Sequence, residues 1–308
     1  MTPRPGTEQT APVIRWEQVS AQVDAAPGVG VRQAGSASGR PTVLMIGGLG
    51  SPASDWDAVL ALLPADVRLL WVDDPARGNA PSEPQPLRHR VETLRTVAGT
   101  LAEPPYLLVG HSLGGLYVQG FARRFPALTA GALLVDSTLP GDSVHRQADS
   151  LTSLVQNSVL LPAARALLGV GPMVRLAAPA ARRLGVWTQT VHGRDRMPAA
   201  AARALYGSTD AARALLAEWD GAGGLESDLL RTAQQHPFPA VPLTVLAGGR
   251  FGRPWTRPDP RWLAGQRRLA RLSPAGEFIG LDDAAHLVMI DRPDAVADAI
   301  VRLSARIG

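Results

Sequence analysis

The sequence predicts an α/β fold, a mostly parallel central sheet flanked by helices, from three observations. Short apolar runs such as Thr42-Val43-Leu44-Met45-Ile46, Leu69-Leu70-Trp71-Val72 and Leu243-Thr244-Val245-Leu246-Ala247 have the length and composition of strands buried on both faces. Between these runs, apolar residues recur at helical spacing. The alternation of the two over a chain of 308 residues implies βαβ units rather than a sandwich or a helical bundle.

The elements follow in order. Residues 1–12 are expected to be a disordered tail, and residues 13–31 to form irregular strands. The strand over 42–46 runs into Gly47-Gly48-Leu49-Gly50-Ser51-Pro52. Trp56, Val59, Leu60 and Leu63 then share one helical face, with Ser54 or Asp55 able to cap its start. A strand over 67–72 is stopped by Asp73-Asp74-Pro75, and a helix through Val91, Leu94, Val97 and Leu101 leads to Tyr106-Leu107-Leu108-Val109. Leu116, Tyr117, Val118, Phe121 and Ala122 mark a helix ending near Pro126, and Gly131-Ala132-Leu133-Leu134-Val135 is a buried strand closing on Asp136. The strand over 243–247, a helix over 262–272, a strand around Phe278-Ile279 and a helix over 293–307 complete the pattern.

Residues 140–236 break the rhythm with Ala-, Leu- and Arg-rich segments at helical spacing, read as a helical insertion. The expected organisation is a core domain over 13–139 and 237–308 with this insertion between two of its strands. Leu160, Leu161, Leu167, Leu168, Val174, Leu176, Leu184, Val186 and Trp187 exceed what a free helix would expose, so they are predicted to pack on the core over the strand ends.

Composition narrows the function. With 45% hydrophobic and 19% charged residues, the chain is typical of a globular protein with a sizeable core. The absence of Cys excludes disulfides, thiolate metal sites and Cys nucleophiles. No apolar signal-peptide core opens the sequence and no run of about eighteen apolar residues occurs, so a cytoplasmic protein without a membrane span is expected. All 31 basic side chains are arginine, scattered in pairs such as Arg123-Arg124, Arg182-Arg183 and Arg267-Arg268. A nucleic-acid footprint would cluster them, so no nucleic-acid partner is expected. The Ala/Arg/Gly/Pro bias fits a GC-rich bacterial genome.

One motif carries chemistry. Gly110-His111-Ser112-Leu113-Gly114 lies between a strand and a helix, which is the arrangement of a nucleophile elbow. The flanking glycines are a steric need, because Ser112 must take a strained conformation to point its hydroxyl clear of the sheet. A serine hydroxyl keeps its proton at neutral pH, so attack needs a neighbouring imidazole to take it. The residue after the nucleophile, Leu113, offers a backbone N–H to a developing oxyanion.

The elbow, the Gly-rich loop at 47–50 and the late His286 together resemble the α/β-hydrolase superfamily over roughly residues 13–308. The resemblance implies the α/β-hydrolase fold, with 140–236 as a helical cap and a triad in the chain order Ser, acid, His. His286, in a loop after the last strand, occupies the place of the family's base. His111 is the usual residue beside the nucleophile rather than a base. The acid stays open. Relatives mostly carry it after the strand that follows the cap, but here that strand ends Ala247-Gly248-Gly249-Arg250-Phe251 without a carboxylate. Asp136, at the end of the earlier strand used by some branches, is the first choice, Asp259 is the alternative acid, and no conventional acid is a third possibility. Asp282 and Asp283 would need an awkward fold-back onto His286. The loop at 47–50 is similar to the family's HGxG segment with Gly47 in place of His, which makes the Leu49 N–H the second oxyanion donor. Residues 74–82 match the family's D-x-x-G-x-G-x-S stretch only loosely, with Ala80 at the second Gly.

No cofactor or metal is expected, since neither H-E-x-x-H nor a G-K-[ST] phosphate loop occurs. The expected function is serine hydrolysis of a carboxylic ester or thioester through an acyl-enzyme, on a small-molecule substrate with an apolar acyl or alcohol group. The alternatives are carbon–carbon bond, lactone or amide hydrolysis, acyl transfer, perhydrolysis, or a ligand-binding protein with little turnover.

Overall fold

The computed structural model describes residues 14–19, 29–36, 40–73, 86–141, 171–192, 195–250 and 259–307. Two short strands, β1 (Glu17–Gln18) and β2 (Val31–Ala34), precede β3 (Val43–Ile46), whose four residues are all buried. A turn of 3-10 helix (Ala53–Trp56) and the short α1 (Asp57–Leu60) lead to β4 (Leu69–Val72). Then come α2 (Leu87–Leu101), β5 (Tyr106–His111), α3 (Gly114–Arg124) and β6 (Thr129–Val135). Helices α4 (Gly171–Gln189), α5 (Ala199–Tyr206) and α6 (Thr209–Gln235) separate β6 from β7 (Leu243–Gly248). The chain closes with α7 (Pro260–Ala270), β8 (Gly276–Leu281), α8 (Val288–Asp291) and α9 (Pro293–Ile307).

The eight strands form one sheet in the order β1-β2-β4-β3-β5-β6-β7-β8. β2 runs antiparallel to both β1 and β4, and every other pairing is parallel. Because strands β3 to β7 are covered on both faces, they read in the sequence as continuous apolar runs rather than alternating ones. One core layer packs α2 and α3 residues such as Leu94, Tyr117 and Phe121 on Leu44, Leu108 and Leu134. The other packs Trp56, Val59 and the α9 residues Val296, Ile300 and Leu303 on Met45, Val109 and Val135. The sheet order places a topological switch between β3 and β5: the chain moves outward to β4 on one side and to β6 on the other. Such a crevice, at the carboxyl ends of the strands, is where open α/β sheets bind ligands.

Two expectations are corrected. Neither Ser54 nor Asp55 caps the helix that follows, because the preceding Pro52 takes the cap position and makes no side-chain cap bond. Asp55 is buried instead, in an ion pair with Arg182. Within the insertion, Val174 and Val186 are buried as expected, but Leu176 (73%), Leu184 (46%) and Trp187 (43%) are exposed. Successive turns of α4 place these three, with Met173, on one side of the helix, away from Val174 and Val186. Leu160, Leu161, Leu167 and Leu168 lie outside the described residues, as do residues 1–12 and 74–82. Helix α6 packs against α2 and α3, where its Leu225 and Leu229 join the core.

Candidate active site

Three strand ends converge on the crevice. β5 runs straight into the elbow, and Ser112 has a φ of 52°, the left-handed region that a non-glycine residue occupies only when its surroundings hold it there. They do so here through both backbone groups. The Ser112 N–H donates to Val135 C=O at 3.1 Å, and its C=O accepts from Gly115 N–H and Thr138 N–H, each at 3.0 Å. The flanking glycines are forced by close approach. A Cβ on Gly110 would sit 2.6 Å from Gly114 O, and one on Gly114 would sit 2.4 Å from Ile46 O.

Ser112 Oγ lies 2.9 Å from His286 Nε2, and His286 Nδ1 lies 2.6 Å from Asp136 Oδ2. A carboxylate only accepts, so the Nδ1 proton points at Asp136 and the Nε2 lone pair is left for the serine hydroxyl. Asp136 follows β6 with a φ of 41°, and its N–H is tied to Leu246 C=O at 2.7 Å. Its second oxygen, Oδ1, accepts from Gly248 N–H at 3.1 Å and from Trp262 Nε1 at 2.8 Å. The carboxylate is 3% exposed, so these donors replace water.

The end of β7, which lacks a carboxylate in sequence, therefore serves Asp136 through a backbone N–H. It also carries the loop of His286, with Gly249 N–H donating to Leu281 C=O at 2.8 Å and Arg250 N–H to Ala284 C=O at 3.1 Å. Asp259, the other carboxylate considered, caps α7 by accepting from Arg261 N–H at 2.8 Å and Trp262 N–H at 3.3 Å. Asp283 pairs with Arg292 through its carboxylate, at 2.9 Å. In the sequence Trp262 opens the helix expected over 262–272, and nothing in its neighbourhood marks it as a partner of Asp136.

His111 is 2% exposed and sits beside His286, its Nε2 2.9 Å from His286 C=O and the two rings 4.7 Å apart. Burial, then the neighbouring His286, hold its pKa well below the usual 6.5, although the carbonyl pulls the other way. A neutral His111 must donate from Nε2, because its partner is a carbonyl.

The loop after β3 faces the elbow. A Cβ on Gly48 would meet Ser112 Cβ at 2.8 Å and His111 Nδ1 at 2.9 Å, so the loop passes against Ser112 only because that side chain is absent. Leu113 immediately precedes α3, where backbone N–H groups have no partner one turn earlier and the helix dipole favours negative charge. Among the described residues, neither the Leu49 nor the Leu113 N–H takes part in a backbone–backbone hydrogen bond of these loops and turns.

Residues 43–299 match the family model described as the Alpha/beta hydrolase family. The chain belongs to the alpha/beta hydrolase family. No curated protein matches this hydrolase in sequence. Among solved structures, it is similar to a haloalkane dehalogenase loop variant from Bradyrhizobium elkanii, with a TM-score of 0.70, 15% identity, and 96% of this chain and 97% of that one covered. A thermophilic esterase from Thermogutta terrifontis matches at 0.63 and 19% identity, covering 95% of this hydrolase and 99% of the esterase. An enol-lactonase from Burkholderia xenovorans LB400 matches at 0.58 and 21%, covering 90% and 96%. At such identities these likenesses speak for the fold, and the chemistry of this hydrolase has to be argued from its own residues. Among the described residues, no helix is long and apolar enough to cross a membrane.

Proposed function

We propose that this hydrolase cleaves a carboxylic ester or thioester with Ser112 as nucleophile, His286 as general base and acid, and Asp136 as the residue that orients His286. The observation that carries the proposal is the hydrogen-bonded line Ser112 Oγ, His286 Nε2, His286 Nδ1, Asp136 Oδ2, at 2.9 and 2.6 Å. As Ser112 Oγ bonds to the substrate carbonyl carbon, its proton passes to His286 Nε2, and Asp136 stabilises the imidazolium. The former carbonyl oxygen becomes an anion that the Leu49 and Leu113 N–H groups meet. Collapse breaks the bond to the leaving alkoxide or thiolate, which takes the proton back from His286 and departs as alcohol or thiol. Water, deprotonated by the same imidazole, then attacks the acyl-enzyme and returns Ser112 with a free acid.

A serine at the elbow suits acyl transfer. Opening of alkyl halides or epoxides through an alkyl-ester intermediate needs a carboxylate there. Helices α4 to α6 are read as a cap over this crevice. Support comes from Tyr206, whose hydroxyl donates to Gly50 C=O at 2.8 Å, and from Leu215, whose Cδ1 lies 2.9 Å from where a Gly50 Cβ would be. Leu49, Leu113 and this leucine favour an apolar acyl or alcohol group. The purified chain should turn over p-nitrophenyl esters or acyl thioesters of medium chain length, and Ser112→Ala should abolish that turnover. No turnover of either class by the folded wild type would overturn the ester or thioester assignment.

A further inference from the structure

Asp291 is a buried carboxylate, 7% exposed at the end of α8, that the reaction above does not use. Its Oδ2 accepts the N–H of Ala285, the residue just before His286, at 2.9 Å. The same carboxylate accepts the Val191 N–H at 3.1 and 2.9 Å and the His192 N–H at 3.2 Å. Val191 and His192 lie just past the end of α4 in the insertion. On the other side of His286, the Leu287 N–H donates to Gln189 C=O, the last residue of α4, at 3.0 Å. The backbone on both sides of the base is thus fastened to the end of one insertion helix, and a single carboxylate makes most of the fastening.

We propose that Asp291 is a positioning residue for His286, and that through it the end of α4 carries part of the alignment of the base. The proposal rests on the reading of His286 as the general base. An imidazole must hold one geometry toward Ser112 and Asp136 at once, and its reach is set by where its own backbone sits. A displacement of about 1 Å at such a group costs on the order of a hundredfold in rate. Asparagine at 291 would keep one accepting oxygen and set an NH2 group against the N–H donors on the other side, so one half of the fastening would be lost.

The test uses the full chain, with p-nitrophenyl butyrate as substrate and a fluorophosphonate to count competent sites. Asp291→Asn should lower kcat per titrated site by about ten- to a hundredfold, with KM within about threefold of wild type. An undiminished kcat per titrated site, even with a lowered melting temperature, would mean that Asp291 only supports the fold, and would overturn the proposal alone. A folded wild type that takes no label would overturn the underlying hydrolase reading and the proposal with it. Should the variant not fold, native-state hydrogen exchange on the wild type decides. The amides of Val191, His192 and Ala285 should lose protection together as denaturant rises, and independent opening of 191–192 would contradict the fastening.

Discussion

The indole N–H of Trp262 donates to Asp136 at 2.8 Å on Oδ1, the carboxylate oxygen that His286 does not use. The two oxygens thus have separate partners: Oδ2 faces His286, and Oδ1 is held by Trp262 and by Gly248 N–H. Trp262→Phe keeps the ring and removes the donor, leaving a buried acceptor short of one partner at a cost of about 1–3 kcal/mol. The variant should unfold earlier in urea and turn over esters more slowly than wild type, while still labelling with a fluorophosphonate. Asp136→Asn should lower kcat by roughly four orders of magnitude with the fold intact, because the wrong imidazole tautomer is then favoured. Asp259→Asn should leave kcat near wild type, since that carboxylate serves the start of α7. Steady-state kinetics on the three variants separates these roles.

The insertion meets the segment after β3 through a buried ion pair. Arg182 of α4 binds the Asp55 carboxylate, with NH1 3.2 Å from Oδ2, while Ser51 Oγ donates to the same oxygen at 3.0 Å and Asp195 lies 3.5 Å from the guanidinium. Burial pushes the Asp55 carboxyl up from its ordinary value, and Arg182 and Ser51 oppose that shift. Arg182→Met would strand the carboxylate and should cost about 3–5 kcal/mol, whereas Arg182→Met with Asp55→Leu should recover much of the loss. Urea unfolding of the single and double variants measures the difference.

His111 should give the fold a pH dependence whose sign follows from its burial. Its folded-state pKa lies well below the ordinary 6.5, so the unfolded chain binds a proton first as pH falls. The contribution of His111 is therefore fully present above pH 6.5 and is lost as pH falls toward the folded value, with a slope of up to about 1.4 kcal/mol per unit. His111→Gln should remove that part of the slope below pH 6.5 in urea midpoints. Parallel wild-type and variant curves would contradict the buried neutral state.

Most of the fold was legible in the sequence, because buried parallel strands are apolar throughout and α9 carries an uninterrupted helical stripe. The final helix was expected over 293–307 and spans Pro293–Ile307. Ser112 and His286, which the structure brings to 2.9 Å of each other, could be singled out because the elbow is a local motif and the family resemblance gives the late histidine its place. The partners of Asp136 could not: Gly248 contributes a backbone N–H that any residue but proline has, and Trp262 looks like any core-facing tryptophan. Asp55 departs from the expected cap for a similar reason. An Asp before a helix is usually a cap, and only the approach of Arg182 from 127 residues away turns it into half of an ion pair. The outward side of α4 also escaped, since apolar residues alone do not say which side of a helix is covered.

Gly48 shows how tightly the loop after β3 is set. A methyl group there would meet Ser112 Cβ at 2.8 Å and His111 Nδ1 at 2.9 Å, and neither neighbour is the free end of a flexible chain. Gly48→Ala should cost about 1–3 kcal/mol in stability and should slow ester turnover by on the order of a hundredfold. Wild-type kinetics in the alanine variant would place the loop farther from the nucleophile than the structure has it.

The central claim is that Ser112 becomes acylated with His286 as its base. Intact-mass spectrometry after exposure to a fluorophosphonate tests it most directly, comparing wild type, Ser112→Ala and His286→Ala. The account predicts one adduct on the wild type, mapped to the peptide containing Ser112, none on Ser112→Ala, and labelling slowed by orders of magnitude on His286→Ala. A folded wild type that takes no adduct, or an adduct that persists in Ser112→Ala, would contradict it.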